Sequence, residues 1–479
     1  MRVCFVKSGD REWISYPMQY ASLSSFLKQK NHEIYFYDAS LRKESPEQVL
    51  NNINLDGFDV LGISVYTGSQ NWIKQFIYLV KQQFQNVKII VGGPHISSLG
   101  TDAVEHIDAD IGIAGEGELP LAELLDRIEK NQKFDDIPGL IWKEDNIWKH
   151  TLNLPFYRIT DLDTLPFPDY DLIRPDNYFN IFRGATVPRK KERCAVIFTS
   201  RGCPYACTFC ATNCTWSRKI TYYSAKRVVD EIELLKNKYN IEEIWISDDN
   251  FTFSKKRTID ICKLILEKQL NIYFRLPNGI RIETIDNEVA SWMRKAGCYM
   301  VGIGVETGSE TMMKNIKKNL DLKIIKEKIK ILQKNKILVS GFFIYGFPNE
   351  TYEQLLETKN FILKTGFDRM QISIFNPYPG SEEFDKIFLK DNFNDYKIKI
   401  KEYLYEEKLQ DFLKNLNIEI IYKEAKETYF KFYTQPKVLF SLLVNINWQQ
   451  IKDILRHPIF KSLFRKKHNI KDTYVKLNP

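Results

Sequence analysis

Twice along this chain of 479 residues, short apolar runs alternate with stretches of helical period, and a proline-rich segment separates the two series. The first series runs through RVCFVKS, YASLSSFLKQK, EIYFYDAS, DVLGISVY, NWIKQFIYLVKQQF, VKIIVGG, AVEHI and IGIAGEGE. Short runs rich in β-branched and aromatic residues suit strands, and the longer 3.6-period stretches suit helices. Regular alternation of the two implies a parallel sheet covered on both faces. Residues 1–145 are therefore expected to form a doubly wound α/β domain whose ligands sit beyond the carboxyl ends of its strands.

Residues 146–190 carry LNLPFYRI, DTLPFPDYDLI and VPRKKER, with repeated prolines and no long period, and read as a linker. From CAVIFTSRGC a second alternation of six strand and helix pairs extends to RMQISIFN, so residues 191–385 are expected to form a partial or full (β/α) barrel. Residues 386–479 read as a basic, mainly helical region. The net charge of +8 lies entirely there.

Composition narrows the classes. Hydrophobic residues make up 44% and charged residues 27%, which excludes a disordered chain. No uncharged apolar stretch is long enough for a transmembrane helix, and MRVCFVKSGDREW turns polar too early for a signal peptide. A cytoplasmic protein is expected. In that reducing compartment the eight cysteines are not expected to form a disulfide framework.

Three of those cysteines crowd into SRGCPYACTFC, where Cys203, Cys207 and Cys210 follow the strand AVIFT at C-x-x-x-C-x-x-C spacing. Three soft thiolates on one short loop can hold three irons of a cubane and leave the fourth iron open to a ligand. A cluster closed by four cysteines cannot bind such a ligand. Spacing alone also permits a four-thiolate zinc site using Cys214 or Cys194, giving a non-catalytic zinc-stabilised binding protein, or a dithiol pair at Cys207 and Cys210.

The three cysteines, the aromatic Phe209 before the last of them and the strand-to-loop context resemble the signature of the radical S-adenosylmethionine superfamily. Similar matches continue through EIWISDDNFTF (Asp248, Asp249, Asn250), Arg281 in NGIRIE, Glu306 in VGIGVETGSE, GFFIYGFPNET and PYPGSE, over about residues 190 to 385. The resemblance implies a partial (β/α) barrel of radical S-adenosylmethionine type. In it the four-iron four-sulfur cluster binds S-adenosylmethionine and cleaves it to a 5′-deoxyadenosyl radical. It also implies cofactor contacts at Phe209, whose backbone meets the adenine, and at Asp248, Arg281 and Glu306. By its own chemistry Glu306 can accept from ribose hydroxyls or an amine, or form a surface salt bridge. Asp249 and Asn250 can equally cap a helix.

A doubly wound domain ahead of such a barrel resembles the flavodoxin-like cobalamin-binding module of the cobalamin-dependent subgroup. The matching residues are Ser64 in GISVYTGS, Gly92 and Gly93 in VGGPH, and the GEGE loop from Gly115 and Glu116 to Glu118. Ser64 can hydrogen-bond the nucleotide tail, and the glycines leave room for a wide ring system. The D-x-H-x-x-G motif that puts a histidine under cobalt is absent, since the first loop reads SGDREWISYP. Tyr66 stands where the subgroup often has leucine. It can cover the lower face of the corrin or pack in the core, and packing is the expectation. His95 is expected to be a loop residue, not a cobalt ligand.

The resemblance implies two uses of S-adenosylmethionine, one methylating cobalt and one supplying the radical that removes hydrogen from an unactivated carbon, which then receives the methyl group. A radical C-methyltransferase acting on a small molecule, lipid or peptide is thus expected, with an electron donor such as flavodoxin or ferredoxin. The alternatives are an oxidative cyclase of the tetrapyrrole type, or a related ring-forming or rearranging enzyme, and a methylthiotransferase. No RNA-binding domain or second cysteine triplet is evident for the last, and nucleic acid is not an expected partner. The tail KFYTQPKVLFSLLVNINWQQIKDILRHPIFKSLFRKKH resembles a segment common in the subgroup. It can lie on an anionic membrane surface or pack on the barrel, and packing is the expectation.

Overall fold

A computed structural model of the chain describes residues 1–9, 16–179, 189–388 and 413–445. Its first strands are β1 (Arg2–Lys7), β2 (Glu33–Asp38), β3 (Val60–Ser64), β4 (Lys88–Gly92) and β5 (Ile111–Ile113). They pair in parallel in the order β2-β1-β3-β4-β5, the flavodoxin-like arrangement. Their apolar runs are buried because helices cover both faces, and each face has its own core. Val6, Leu61, Phe76 and Val91 lie in one, and Val3, Phe5, Leu124 and Leu125 in the other. An antiparallel hairpin, β6 (Leu140–Glu144) and β7 (Ile147–His150), extends the sheet beyond β5 and into the stretch read as linker.

The following residues are fastened to the second module. Leu162, Leu165, Tyr170, Ile173 and Tyr178 are buried in the barrel's core, and Arg227 lies 3.4 Å from the Phe167 ring centroid. The barrel begins with β8 (Cys194–Ile197). A two-residue antiparallel ribbon follows, β9 (Ser200–Arg201) with β10 (Thr221–Tyr222). The remaining strands are β11 (Glu243–Ile246), β12 (Tyr273–Ile280), β13 (Cys298–Glu306), β14 (Leu338–Tyr345) and β15 (Arg369–Ile374). Six of them pair in parallel in chain order, β8-β11-β12-β13-β14-β15, with β8 and β15 at the free edges, which makes the barrel partial.

Side-chain caps start its outer helices where the sequence changes period. Ser224, Ser254, Asp286 and Asp321 accept from backbone amides of the helices they precede, and Thr351 with Gln354 forms a capping box. The described C-terminal residues form two helices, Ile418–Tyr433 and Pro436–Asn445. The first packs on the barrel through Lys359 and Glu424 at 2.6 Å and through Tyr429, whose hydroxyl accepts from the Ile372 amide at 2.9 Å. The second buries Val438 in the barrel core. The stretch RHPIFKSLFRKKH lies outside the described residues.

Candidate functional site

The cysteine loop leaves the mouth of the barrel at the end of β9. It turns at Gly202, whose φ of +88° places its Cα against the Lys219 carbonyl, where a Cβ would lie 2.4 Å from the oxygen. Cys203, Cys207 and Cys210 are free and half-buried. Burial pushes the Cys203 thiol up to about 11 and Cys207 also upward. Cys203 is raised further by Asp249, Cys210 and Cys207, and Cys207 by Cys210, while Lys318 and Arg281 draw Cys207 back. The loop therefore gathers three thiols beside two cations, which favour the thiolate form that a metal cluster would need. Among the described residues, no three His, Cys, Asp or Glu groups are drawn together as ligands of a single metal ion. Of the two candidates for the one extra ligand a zinc site would need, Cys194 is buried in β8, and Cys214 accepts a hydrogen bond from Ser98 Oγ at 3.1 Å.

Arg281 and Glu306 stand close to Cys207. Arg281 follows β12 and is 7% exposed. Its Nε and Nη2 donate to Glu283 and its guanidinium lies 3.8 Å from the Tyr205 ring centroid, while Nη1 is buried with no partner among the described residues. Glu306 ends β13 in the left-handed region at φ +70°, where the ladder to β14 slips by a residue. Such a conformation is costly for a non-glycine residue and is found where surroundings impose it. At this position Glu306 forms a buried ion pair with Lys318 at 2.8 Å, and both side-chain tips occupy the space a Cβ at Gly304 would need. Lys318 was not found by sequence reasoning, because nothing in IKKNLD distinguishes it from other lysines. Phe209 packs 5.8 Å from Phe347, among Met312, Ile316 and Phe375.

Asp248 and Asp249 point to different places. Asp248 is buried, and its oxygens accept from the Thr199 amide (2.5 Å), Thr199 Oγ1 (2.5 Å), the Ser200 amide (3.2 Å) and Ser200 Oγ (2.7 Å). So placed, it pins the strand that feeds the cysteine loop and has no oxygen left for a ligand. Asp249 instead lines the cavity described next. Burial among surrounding groups and the charge of Asp248 push it up to about 6, offset by the nearby Gly202 amide and Thr212 hydroxyl. Asp249 caps no helix, and Asn250 stands at the N-cap position of the short 3-10 helix Phe251–Phe253 without a side-chain bond to it, while Ser254 caps the α-helix Lys255–Glu267. Asn250 is buried with neither amide atom bonded to any described residue.

A cavity of about 380 Å³ lies between the two modules. Ser64, Tyr66, Gly92, Gly93, Gly115 and Glu116 all line it from the carboxyl ends of β3, β4 and β5, and Phe198, Ser200, Arg201, Asp249 and Asn278 line it from the barrel. Its floor needs glycine at position 93, where φ is +97° and a Cβ would lie 2.8 Å from Ser64 Oγ and 3.0 Å from the Val65 backbone. A ligand-sized cavity over a glycine cradle suits a flat macrocycle with a buried tail. Two expectations are corrected. Tyr66 is 41% exposed and faces the cavity, so it does not pack in the core. His95 lies on the short helix Pro94–Leu99, not in a loop. It is buried against Thr67 Oγ1 at 3.1 Å and lowered to about 4 by burial, and it is not among the lining residues.

Glu116 is turned toward the barrel. Arg201 Nη1 donates to Glu116 Oε2 at 2.8 Å and Nη2 to Glu118 Oε1 at 2.5 Å. Burial raises Glu116. Glu118 also suffers burial, but the closer Arg201 outweighs it and holds that carboxyl below its usual range.

Comparison with known proteins gives further findings. Residues 11–125 match the B12 binding domain family and residues 197–362 the Radical SAM superfamily. The chain is 29% identical over 455 residues to an uncharacterized methyltransferase of Pyrococcus horikoshii, covering 93% of this chain and 91% of that one. It is 26% identical over 353 residues to the cytidylyl-2-hydroxyethylphosphonate methyltransferase of Streptomyces wedmorensis, covering 68% of this chain and 66% of that one. Its fold is similar to that of TsrM, a radical S-adenosylmethionine methyltransferase from Kitasatospora setae solved with tryptophan and a cofactor analogue. The TM-score is 0.68 at 17% identity, over 81% of this chain and 76% of that one. TsrM has also been solved with cobalamin and a four-iron four-sulfur cluster bound.

Proposed function

This chain belongs to the cobalamin-dependent radical S-adenosylmethionine enzymes, and from that premise we propose that it methylates an unactivated carbon of a small-molecule, lipid or peptide substrate. One observation carries the reading. The cavity that gathers Ser64, Tyr66, Gly92, Gly93, Gly115 and Glu116 has Ser200, Arg201 and Asp249 as its opposite wall, and that wall runs straight into the cysteine loop. Two cofactor sites with a common wall suit a reaction in which a radical and a methyl donor act on one carbon.

When bound, the cluster, S-adenosylmethionine and cobalamin supply radical generation and the transferable methyl group. The chain's residues hold and orient. Cys203, Cys207 and Cys210 would ligate the cluster, and Arg281 Nη1 offers a buried donor to the S-adenosylmethionine carboxylate. Glu306, held by Lys318, offers an acceptor to its amine or ribose. Phe209, with the apolar set around Phe347, excludes water from the adenine side. Gly93 and Gly115, both at positive φ, let the backbone turn at the cavity's edge, and Ser64 would face the nucleotide tail.

Reductive cleavage needs a one-electron donor, for which flavodoxin or ferredoxin is the proposed class. Peripheral membrane contact is supported by Leu439 and Phe440, 44% and 69% exposed on the helix Pro436–Asn445, next to the basic tail. No helix among the described residues is long and apolar enough to cross a membrane. Co-sedimentation with anionic vesicles at low salt is expected, and its absence would remove that contact.

Anaerobic reconstitution with iron, sulfide and hydroxocobalamin tests the central reading. Brown protein with about four irons and bound cobalamin, releasing 5′-deoxyadenosine under reduction and passing labelled methyl to its product, is expected. Protein that binds both cofactors yet never cleaves S-adenosylmethionine would contradict it.

A further inference from the structure

The ion triad of Arg201, Glu116 and Glu118 joins the two modules at the wall their cofactor sites have in common. Arg201 lies two residues before Cys203, on a strand held to β10 by only two residue pairs. A ribbon that short cannot by itself fix the loop it feeds. From within the barrel, Asp248 anchors the strand, and the loop itself is tied by Thr208, whose amide donates to the Ile316 carbonyl at 3.0 Å, and by Tyr205 against Arg281. From the opposite module Ser98 reaches Cys214 beyond the triplet, and the strand before it is held by Arg201, whose partners precede it by 85 and 83 residues. The three side chains are 11%, 6% and 6% exposed, Ser22 Oγ donates to Glu118 at 2.9 Å, and the guanidinium sits 4.9 Å from the Trp216 ring centroid. Trp216, Gly115, Glu116, Glu118 and Arg201 all line the cavity. A planar guanidinium that meets two carboxylates and an aromatic face fixes direction as well as distance, which a lysine could not.

We propose that Arg201 is a positioning residue that sets the separation and orientation of the cluster loop relative to the cobalamin cradle. The inference rests on the functional reading above and deepens it. The clasp holds the radical-generating site and the methyl-donating site facing one substrate carbon, and the mobility of one loop is then limited by the other module.

Two measurements on the full chain test this. In cofactor-free protein, Glu118→Gln alters only the cobalamin-side module, yet it should speed amide exchange in residues 201–210 about threefold. Unchanged exchange there overturns the proposal. In protein loaded with both cofactors and reduced, pulsed dipolar EPR between the cluster and cob(II)alamin should give one narrow distance distribution for the wild type. Arg201→Gln should broaden it about twofold, with Arg201→Lys in between. Equal widths in wild type and Arg201→Gln also overturn the proposal. Should Arg201→Gln fail to fold, Glu118→Gln takes its place in the same measurement. Wild-type protein that takes up no cluster or no cobalamin overturns the functional reading instead, and the exchange result on cofactor-free protein still decides the clasp.

Discussion

The guanidinium of Arg281 lies 3.8 Å from the ring centroid of Tyr205, which ties the end of β12 to the loop between Cys203 and Cys207. Glu283 occupies Nε and Nη2, and Nη1 stays buried without a partner among the described residues. A buried guanidinium with one donor left over can receive a carboxylate, the role proposed above for Arg281.

Arg281→Lys keeps the charge but loses the fork and the stack. Iron content should stay near wild type while S-adenosylmethionine binds about tenfold more weakly, ~1.4 kcal/mol. Equilibrium dialysis on reconstituted protein reads this, and unchanged affinity would take Arg281 out of the site.

Alanine at Cys203, Cys207 or Cys210 should each abolish the brown chromophore and most bound iron. Cys214→Ala should retain both, because that thiol already faces Ser98 of the other module. Equal iron loss in Cys214→Ala would revive a four-thiolate site.

Removing one member of the buried Glu306–Lys318 pair strands the other charge and should destabilise the cofactor-free protein by about 3 kcal/mol. The double variant Glu306→Gln with Lys318→Met should recover most of that in urea unfolding. Additive losses would mean that the two side chains do not act as a pair.

Glu350 provides a pH signature. It is 1% exposed, Gly346 N donates to its Oε2 at 2.6 Å, and burial pushes its carboxyl up to about 7 from 4.5. Between those values the folded state binds the extra proton, so stability falls as pH rises from 4.5 through 7. Glu350→Gln should therefore match the wild type below pH 4.5 and exceed it above pH 7, by an amount on the order of 3 kcal/mol. A pH-independent difference in unfolding free energy would contradict the assignment.

Tyr66 and His95 separate two views of the cobalt environment. With the imidazole bound to Thr67 and away from the cavity, His95→Gln should leave the visible spectrum of bound cobalamin unchanged. Tyr66→Ala, whose ring faces the cavity, should shift it. A spectrum altered by His95→Gln alone would make that histidine a cobalt ligand after all.

Much of this was legible from order along the chain. The strands β1 to β5 fall within the apolar runs EIYFYDAS, DVLGISVY and their companions because hydrophobic period and cap residues are local. The cysteine triplet was legible for the same reason, since one loop supplies all three thiols. Local readings failed where a side chain had a choice of distant partners. Asp248 and Asp249 are neighbours, yet one is used up by Thr199 and Ser200 and the other opens to the cavity, because successive residues at a strand end point to opposite sides. Glu116 lines the cavity as the sequence suggests, but its partner Arg201, 85 residues away, was not legible there.

The amino-acid order by itself determined two α/β modules, the loop with three thiols and the glycines that a close-approaching ligand needs, all set by periodicity, spacing and backbone freedom over a few residues. Only the folded chain decided that the two modules meet along one cavity, that Arg201 clasps them, that Lys318 holds Glu306 and that Tyr66 faces inward. Those outcomes depend on which buried charges and rings come within a few ångströms once the two cores have packed, and that proximity is not written in sequence distance.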